Sequence, residues 1–380
     1  MNLPAFRLEE YFAVWEFQAR YNLASSDAQT LTVSELLALG DPDDRDAWEK
    51  RSLGYLQTRG TPQLLQAIAG TYDTVVPDDV LCFAGAQEGL YCALHALLDS
   101  SDHAVVLVPN YQSMESVPSA ICQVTGVALH SDNAWEFDLD DVRAALRSNT
   151  RVVAVNFPNN PTGKIVSQAV FRDLIALCEK HGLYFFSDEV YRGFERDANR
   201  RLPQAADMYD RALSLNVMSK TYGLAGLRVG WIACRDRSIL EKMAQLKQYL
   251  SICNAAPSEA LAVIALKARS VILERNRQLT TQNLEKLSAF FARHADLFAW
   301  LEPEGACIAY PRYLGSEGVE SFCARLVSQA GILLLPASLY RSDLLPTPAD
   351  RFRIGYGRDG IDASLAAFDE FLNSKTGALV

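Results

Sequence analysis
The chain has 380 residues, 49% of them apolar, and its 36 basic and 46 acidic side chains give a formal charge of −10. That length accommodates one large domain and a smaller one, and the negative balance argues against nucleic acid or an anionic membrane as partner. Eight scattered cysteines, none in a Cys-x-x-Cys pair, read as buried thiols in a reducing compartment, the cytoplasm, with no metal site.

Residues 3 to 20 carry apolar side chains at helical spacing (Leu3, Phe6, Leu8, Phe12, Trp15), and Arg7, Glu9 and Glu10 among them argue against a secretory signal. Residues 22–32 are polar and turn-like, and 33–39 form a short helix. The acidic run 41–46 lacks the glycine and glutamate of a calcium loop and reads as a solvated connection. From residue 62 helices at 62–73, 87–99, 138–147 and 167–181 alternate with apolar strands at 80–84, 104–108, 123–129, 151–157, 183–187, 213–218 and 229–234. A long helical stretch then runs from 236 to about 295. Short strands (299–301, 306–310, 331–335, 351–356) and helices at 318–329 and 361–374 complete the chain. The pattern predicts an α/β domain with a mostly parallel seven-stranded sheet, residues 42–270, and a smaller α+β domain from residues 1–41 and 271–380. No apolar run reaches membrane-span length.

Ligands of such sheets bind beyond the carboxyl ends of the strands. Lys220 stands at one such end, after the apolar run Leu213 to Met218, and Arg228 follows it across a glycine-punctuated loop. A lysine there either snorkels to solvent or, desolvated, becomes a nucleophile toward carbonyls. An arginine with glycine amides nearby suits a phosphate, and an aldehyde with a phosphate describes pyridoxal 5'-phosphate. Four other strand ends fit that chemistry. Gly85, Ala86 and Gln87 form either a plain strand-to-helix turn or a helix N-terminus that meets a phosphate. Tyr111, after Pro109-Asn110, is a core tyrosine or a ring that stacks on a pyridine. Asn160, in Asn159-Asn160-Pro161-Thr162-Gly163, marks a turn of the kind that admits a cis bond, and its amide can donate to a phenolate. Asp188, ending Leu183-Tyr184-Phe185-Phe186-Ser187, is a helix cap or the carboxylate that keeps a pyridine nitrogen protonated. Tyr191 is placed to share the phenolate, and Glu189 to turn aside.

Together these motifs resemble the class I/II aminotransferases of the fold-type-I pyridoxal phosphate enzymes, over roughly residues 50 to 360. The resemblance implies that Lys220 carries the cofactor as a Schiff base and shuttles the substrate proton. It also implies that Asp188 pairs with the ring nitrogen, Asn160 and Tyr191 hold the phenolate oxygen, and Tyr111 stacks on the ring. Gly85, Ala86, Gln87, Ser219 and Arg228 would cradle the phosphate. Tyr55 is similar to the tyrosine that reaches the phosphate of a neighbouring subunit, which implies a homodimer. Arg353 is similar to the arginine that grips the substrate α-carboxylate, with Arg351 its competitor on the same strand face.

Two departures stand out. Val217 replaces the Ser or Thr that many members place three residues before the lysine, and the usual Gly-x-Pro segment gives way to Leu23-Ala24-Ser25-Ser26-Asp27. With Glu9 and Glu10 ahead of it, that polar stretch is similar to the capreomycidine-synthase-like branch, whose members cyclise hydroxylated arginines. Glu9, Ser25 and Asp27 are therefore candidates to face a cationic side chain, the alternative for Glu9 being a solvated helix face. The leading expectation is an aminotransferase of amino acid metabolism passing the amino group of an L-amino acid to a 2-oxo acid. Elimination with cyclisation of a guanidino amino acid is the alternative, and a non-catalytic cofactor-binding regulator the least favoured reading.

Overall fold
Long apolar runs at 80–83, 103–108, 150–156, 184–188, 212–217 and 230–233 are buried on both faces, so each pairs on both sides or lies under helices. The computed structural model describes residues 3–376. It arranges seven strands in the order Val80–Phe83, Gly230–Ala233, Ala212–Val217, Tyr184–Asp188, Thr150–Asn156, His103–Val108 and Gln123–Ala128. Every pairing is parallel except the two made by Gly230–Ala233. Alternate side chains feed separate apolar clusters. Ala104, Val106 and Val108 pack with helix Ala86–Leu97 on one face, while Val105 and Leu107 pack with helix Gln168–Lys180 on the other.

The C-terminal part is an antiparallel three-stranded sheet, Ile308–Ala309, Phe352–Gly355 and Leu335–Pro336. It packs among helices Arg269–Arg293, Val319–Ala330 and Ile361–Thr376. The N-terminal segment joins this part through Tyr21–Asn22, which pairs parallel with Ile332–Leu333. Helix Val33–Ala38 instead packs against Ala256–Lys267 of the larger part.

Several expected elements differ. Residues 42–49 are helical, because Asp41 caps Pro42–Glu49 and exchanges hydrogen bonds with Asp44 in a capping box. The expected long helix after 236 is three, Arg237–Gln248, Ala256–Lys267 and Arg269–Arg293, broken at 249–255 and at Ala268. Helix Gln112–Ser119 was not expected, and Tyr111 is its N-cap. Among the described residues no helix is long and apolar enough to cross a membrane.

Candidate active site
The parallel strands end at one edge of the sheet, and there a cleft of about 540 Å³ opens. The loop after Ala212–Val217 brings Lys220 into it. Its ammonium donates to Ser26 Oγ at 2.9 Å and lies 5.9 Å from the centroid of the Tyr191 ring. Burial lowers the lysine pKa; Asp27 and Asp188 oppose that, and Arg353 adds to it. The amine is thus biased toward its neutral, nucleophilic form.

Asp188 ends its strand inside the same cleft. Its Oδ1 accepts from the Val190 amide at 3.1 Å, and burial pushes its pKa up to about 6 against that bond and the Lys220 charge. Glu189 does turn aside: Oε1 accepts from the Ala205 amide and Ser214 Oγ, away from the cleft. The Tyr191 hydroxyl is buried without a partner in hydrogen-bond geometry among the described residues; burial pushes its pKa well up, and the nearby Ser26 opposes that only in part. Asn156 ties the neighbouring strand ends together. Its amide donates to the Asp188 carbonyl at 3.0 Å, and its Oδ1 accepts from the Asn160 backbone at 2.7 Å.

Arg353 is 1% exposed yet lines the cleft. Nη1 donates to the Tyr340 hydroxyl at 2.6 Å and to Asn160 Oδ1 at 3.2 Å, Nη2 donates to the Ala24 carbonyl at 2.6 Å, and Nε has no partner among the described residues. Arg351 does not share its face. The regular strand begins at Phe352, and Arg351 sits in an isolated bridge to Arg312. Its guanidinium donates to the Tyr310 carbonyl at 3.1 Å and lies 4.7 Å from the Trp135 ring centroid, outside the cleft.

An anion cradle closes the sheet end of the cleft. Gly85 has φ +94°, and a Cβ there would run into the Arg228 guanidinium. Helix Ala86–Leu97 starts with no side-chain cap, so its first amides face the cleft at the positive end of the helix dipole. Arg228 is exposed and makes only weak contacts, to the carbonyls of Ala225 (3.2 Å) and Ala84 (3.5 Å), with no ion pair among the described residues. Ala86, Gln87 and Ser219 line the same end, and Val217 contributes wall but no hydroxyl.

The opposite wall is the N-terminal helix Arg7–Trp15 and the segment after it. Tyr111 donates to Glu9 Oε1 at 2.9 Å, and its ring centroid lies 5.2 Å from that of Phe6. Segment 23–28 threads between Lys220 and strand Phe352–Gly355: the Ala28 amide donates to the Lys220 carbonyl, and the Gly355 amide to the Leu23 carbonyl. A Cβ at Gly355 would run into the Ser25 carbonyl, so this threading needs glycine. Ser25 Oγ is buried without a partner among the described residues. Asp27 departs from its expected task, because Arg358 already pairs with both its oxygens, at 3.0 and 2.9 Å. Tyr55 is 89% exposed and does not line the cleft. Ser26, expected with its neighbours to face the substrate, instead meets the Lys220 ammonium, and Asn156, Tyr340, Arg358 and Glu16 join the site unannounced. A strand-end asparagine was a readable signal; Tyr340, 180 positions from its partner Asn160, carried none.

The family model for aminotransferase class I and II matches residues 22–363. The chain belongs to the class I and II aminotransferases. Over 98% of the chain and 95% of the relative it is 29% identical to capreomycidine synthase from Streptomyces vinaceus. Over 84% of each chain it is 33% identical to an arginine–pyruvate transaminase from Pseudomonas aeruginosa. Among solved structures, a pyridoxal phosphate-dependent aminotransferase from Streptococcus suis superposes with a TM-score of 0.91 at 28% identity, covering 98% of this chain and 99% of that one. The pyridoxal phosphate-dependent cyclase OrfR superposes at 0.88 with 25% identity, covering 99% and 98%.

As a class I and II aminotransferase, the protein uses pyridoxal phosphate, and its own residues fit that group. The Gly85–Arg228 cradle matches a phosphate, the Tyr191 hydroxyl, unpartnered among the described residues, suits a phenolate, and the buried Asp188 carboxylate has only the more distant Lys220 charge to balance it. Lys220 is the amine that faces all three.

Proposed function
We propose that the enzyme transaminates an L-amino acid with a cationic side chain, passing its amino group to a 2-oxo acid. The observation that carries this is convergence: Lys220, Asp188, Tyr191, Asn160 and Arg353 face one cleft whose far wall holds the carboxylates of Glu9 and Glu16. Pyridoxal phosphate supplies the aldehyde for the substrate amine and the electron sink for the charge left at Cα. In this reading Arg353 grips the α-carboxylate with its planar fork, pre-set by Tyr340 and the Ala24 carbonyl. The Lys220 amine, biased toward its neutral form by burial, takes the proton from Cα. Asp188 holds the proton on the ring nitrogen, Asn160 and Tyr191 donate to the phenolate oxygen, and Tyr111 covers the ring. Gly85, Ala86, Gln87, Ser219 and Arg228 hold the phosphate, with Ser219 standing in for the hydroxyl that Val217 lacks.

We also propose a homodimer in which Tyr55 of each subunit serves the other's phosphate; the exposed Leu53, Tyr55 and Tyr249 support it. The division into domains 42–270 and 1–41 with 271–380 stands as part of the same proposal, with helix Val33–Ala38 moving with the larger domain on which it packs.

A second reading is elimination and cyclisation of a hydroxylated arginine. It is favoured by the match to capreomycidine synthase, which spans almost the whole chain and so includes the N-terminal wall. Mass spectrometry of products from an amino-acid panel containing arginine and hydroxyarginines, with and without 2-oxo acid, separates the two. Transamination needs the acceptor and yields a 2-oxo acid; cyclisation does not need it and loses water. No turnover of any basic amino acid would refute both.

A further inference from the structure
We propose that Glu16 is the residue that recognises the distal cation of the substrate, an inference that rests on the cationic-substrate reading above. Charge accounting inside the cleft leads there. Of the cations, Arg228 belongs to the phosphate cradle, Arg353 to the carboxylate grip and Lys220 to the cofactor, while Arg358 is engaged by both oxygens of Asp27. Of the carboxylates, Asp188 serves the ring, Asp27 is paired, and Glu9 accepts from the Tyr111 hydroxyl. Glu16 lines the cleft with no hydrogen bond or ion pair of its side chain among the described residues.

Its place in the fold is unfavourable for an acid. It is the C-cap of helix Arg7–Trp15, its amide donating to the Phe12 carbonyl, and that helix has no basic residue in its last turn. A carboxylate at the negative end of a helix dipole is destabilising. It is also only part-exposed, and burial raises its pKa, with Glu9 and Asp27 adding to the rise and Arg358 and Lys220 opposing it. An amidinium or ammonium arriving on a substrate side chain offsets the dipole and the desolvation at once. Phe12, one helical turn before Glu16, lines the same wall and gives the aliphatic stem an apolar surface.

The test uses the holoenzyme and a ligand that cannot react. 5-Guanidinopentanoate keeps the carboxylate and guanidinium of arginine but has no α-amine; a straight-chain carboxylate of similar length is its apolar partner. Calorimetric titration of wild type should show tighter binding of the guanidino compound. Glu16→Gln should weaken that compound by roughly tenfold to a hundredfold and leave the straight-chain one within about twofold, with Glu16→Asp intermediate. Steady-state kinetics on arginine should show the loss mainly in KM, as for a contact equal in ground and transition states. If wild type prefers the guanidino compound and Glu16→Gln keeps that preference, the assignment of Glu16 is overturned. If wild type itself shows no preference, the cationic-substrate reading falls first.

Discussion
At the scale of single residues, the cleft concentrates charge where burial works against it. Lys220 is held toward neutrality and Asp188 toward protonation. Lys220→Ala should abolish turnover, and borohydride treatment should then leave no cofactor attached to the protein; attachment at another lysine would refute the assignment. Asp188→Asn should lose most of the rate, because an amide cannot hold the ring proton. Its effect on the apoenzyme runs the other way. The folded pKa of about 6 lies above the unfolded value near 3.9, so folding favours the protonated carboxyl. That contribution is fully present below the unfolded value and lost as pH rises through the folded one. The asparagine variant carries no charge at any pH. Apo Asp188→Asn should match apo wild type near pH 4 and exceed it by on the order of 2–3 kcal/mol at pH 8. Thermal melts of both apoenzymes across that range check it, and a gap that narrows with rising pH would contradict it. Arg353→Lys should raise the KM for amino acids far more than it weakens cofactor binding, since an ammonium cannot reproduce the fork. The same change at Arg351, whose charge is spent on the Tyr310 carbonyl and the Trp135 face, should leave KM nearly unchanged.

Among the elements, the seven strands were legible because runs such as His103–Val108 and Tyr184–Asp188 are apolar on both faces, and nothing but a covered sheet explains that. The site residues at their ends were legible for the same reason, since a polar side chain after such a run has few places to go. Direction was not legible: Gly230–Ala233 is as apolar as its neighbours yet runs antiparallel, and only the short return from Val217 decides it. Nor was the wall opposite the sheet, because its contacts are long-range. Gln112 grips the N-terminal segment from both sides, accepting from the Arg7 amide at 3.0 Å and donating to the Ala5 carbonyl at 2.8 Å. Gln112→Ala should free that wall, leaving the Lys220 chemistry intact. The expected signs are a several-fold rise in amino-acid KM with kcat little changed, and faster tryptic cleavage after Arg7 that substrate slows. Cleavage and KM both at wild-type values would show that the wall stays in place without this grip.

At the scale of the whole molecule, a group of large apolar side chains stays exposed. Leu53 is 82% exposed, Tyr55 89% and Tyr249 90%, with Leu250 and Ile252 half exposed beside Tyr249. The buried Lys247 ammonium draws these stretches together, donating to the Thr58 and Cys82 carbonyls and to Asn254 Oδ1. A lysine that deep is costly unless its donors are all used, and here they fix the geometry of an apolar surface. In the proposed dimer that surface is buried, and Tyr55 of one subunit completes the phosphate cradle of the other. The arrangement has a consequence that a monomer lacks. Tyr55→Ala and Lys220→Ala are each defective alone, but a mixed dimer holds one site with both residues intact and one with neither. Unfolding and refolding an equal mixture should therefore restore about a quarter of the wild-type sites, the share expected for random pairing in a twofold dimer. Titrating the recovered activity against the mixing ratio tests this, the maximum falling at equal amounts. Recovery no greater than the sum of the two separate variants would place Tyr55 outside the neighbouring site, even if sedimentation still found a dimer.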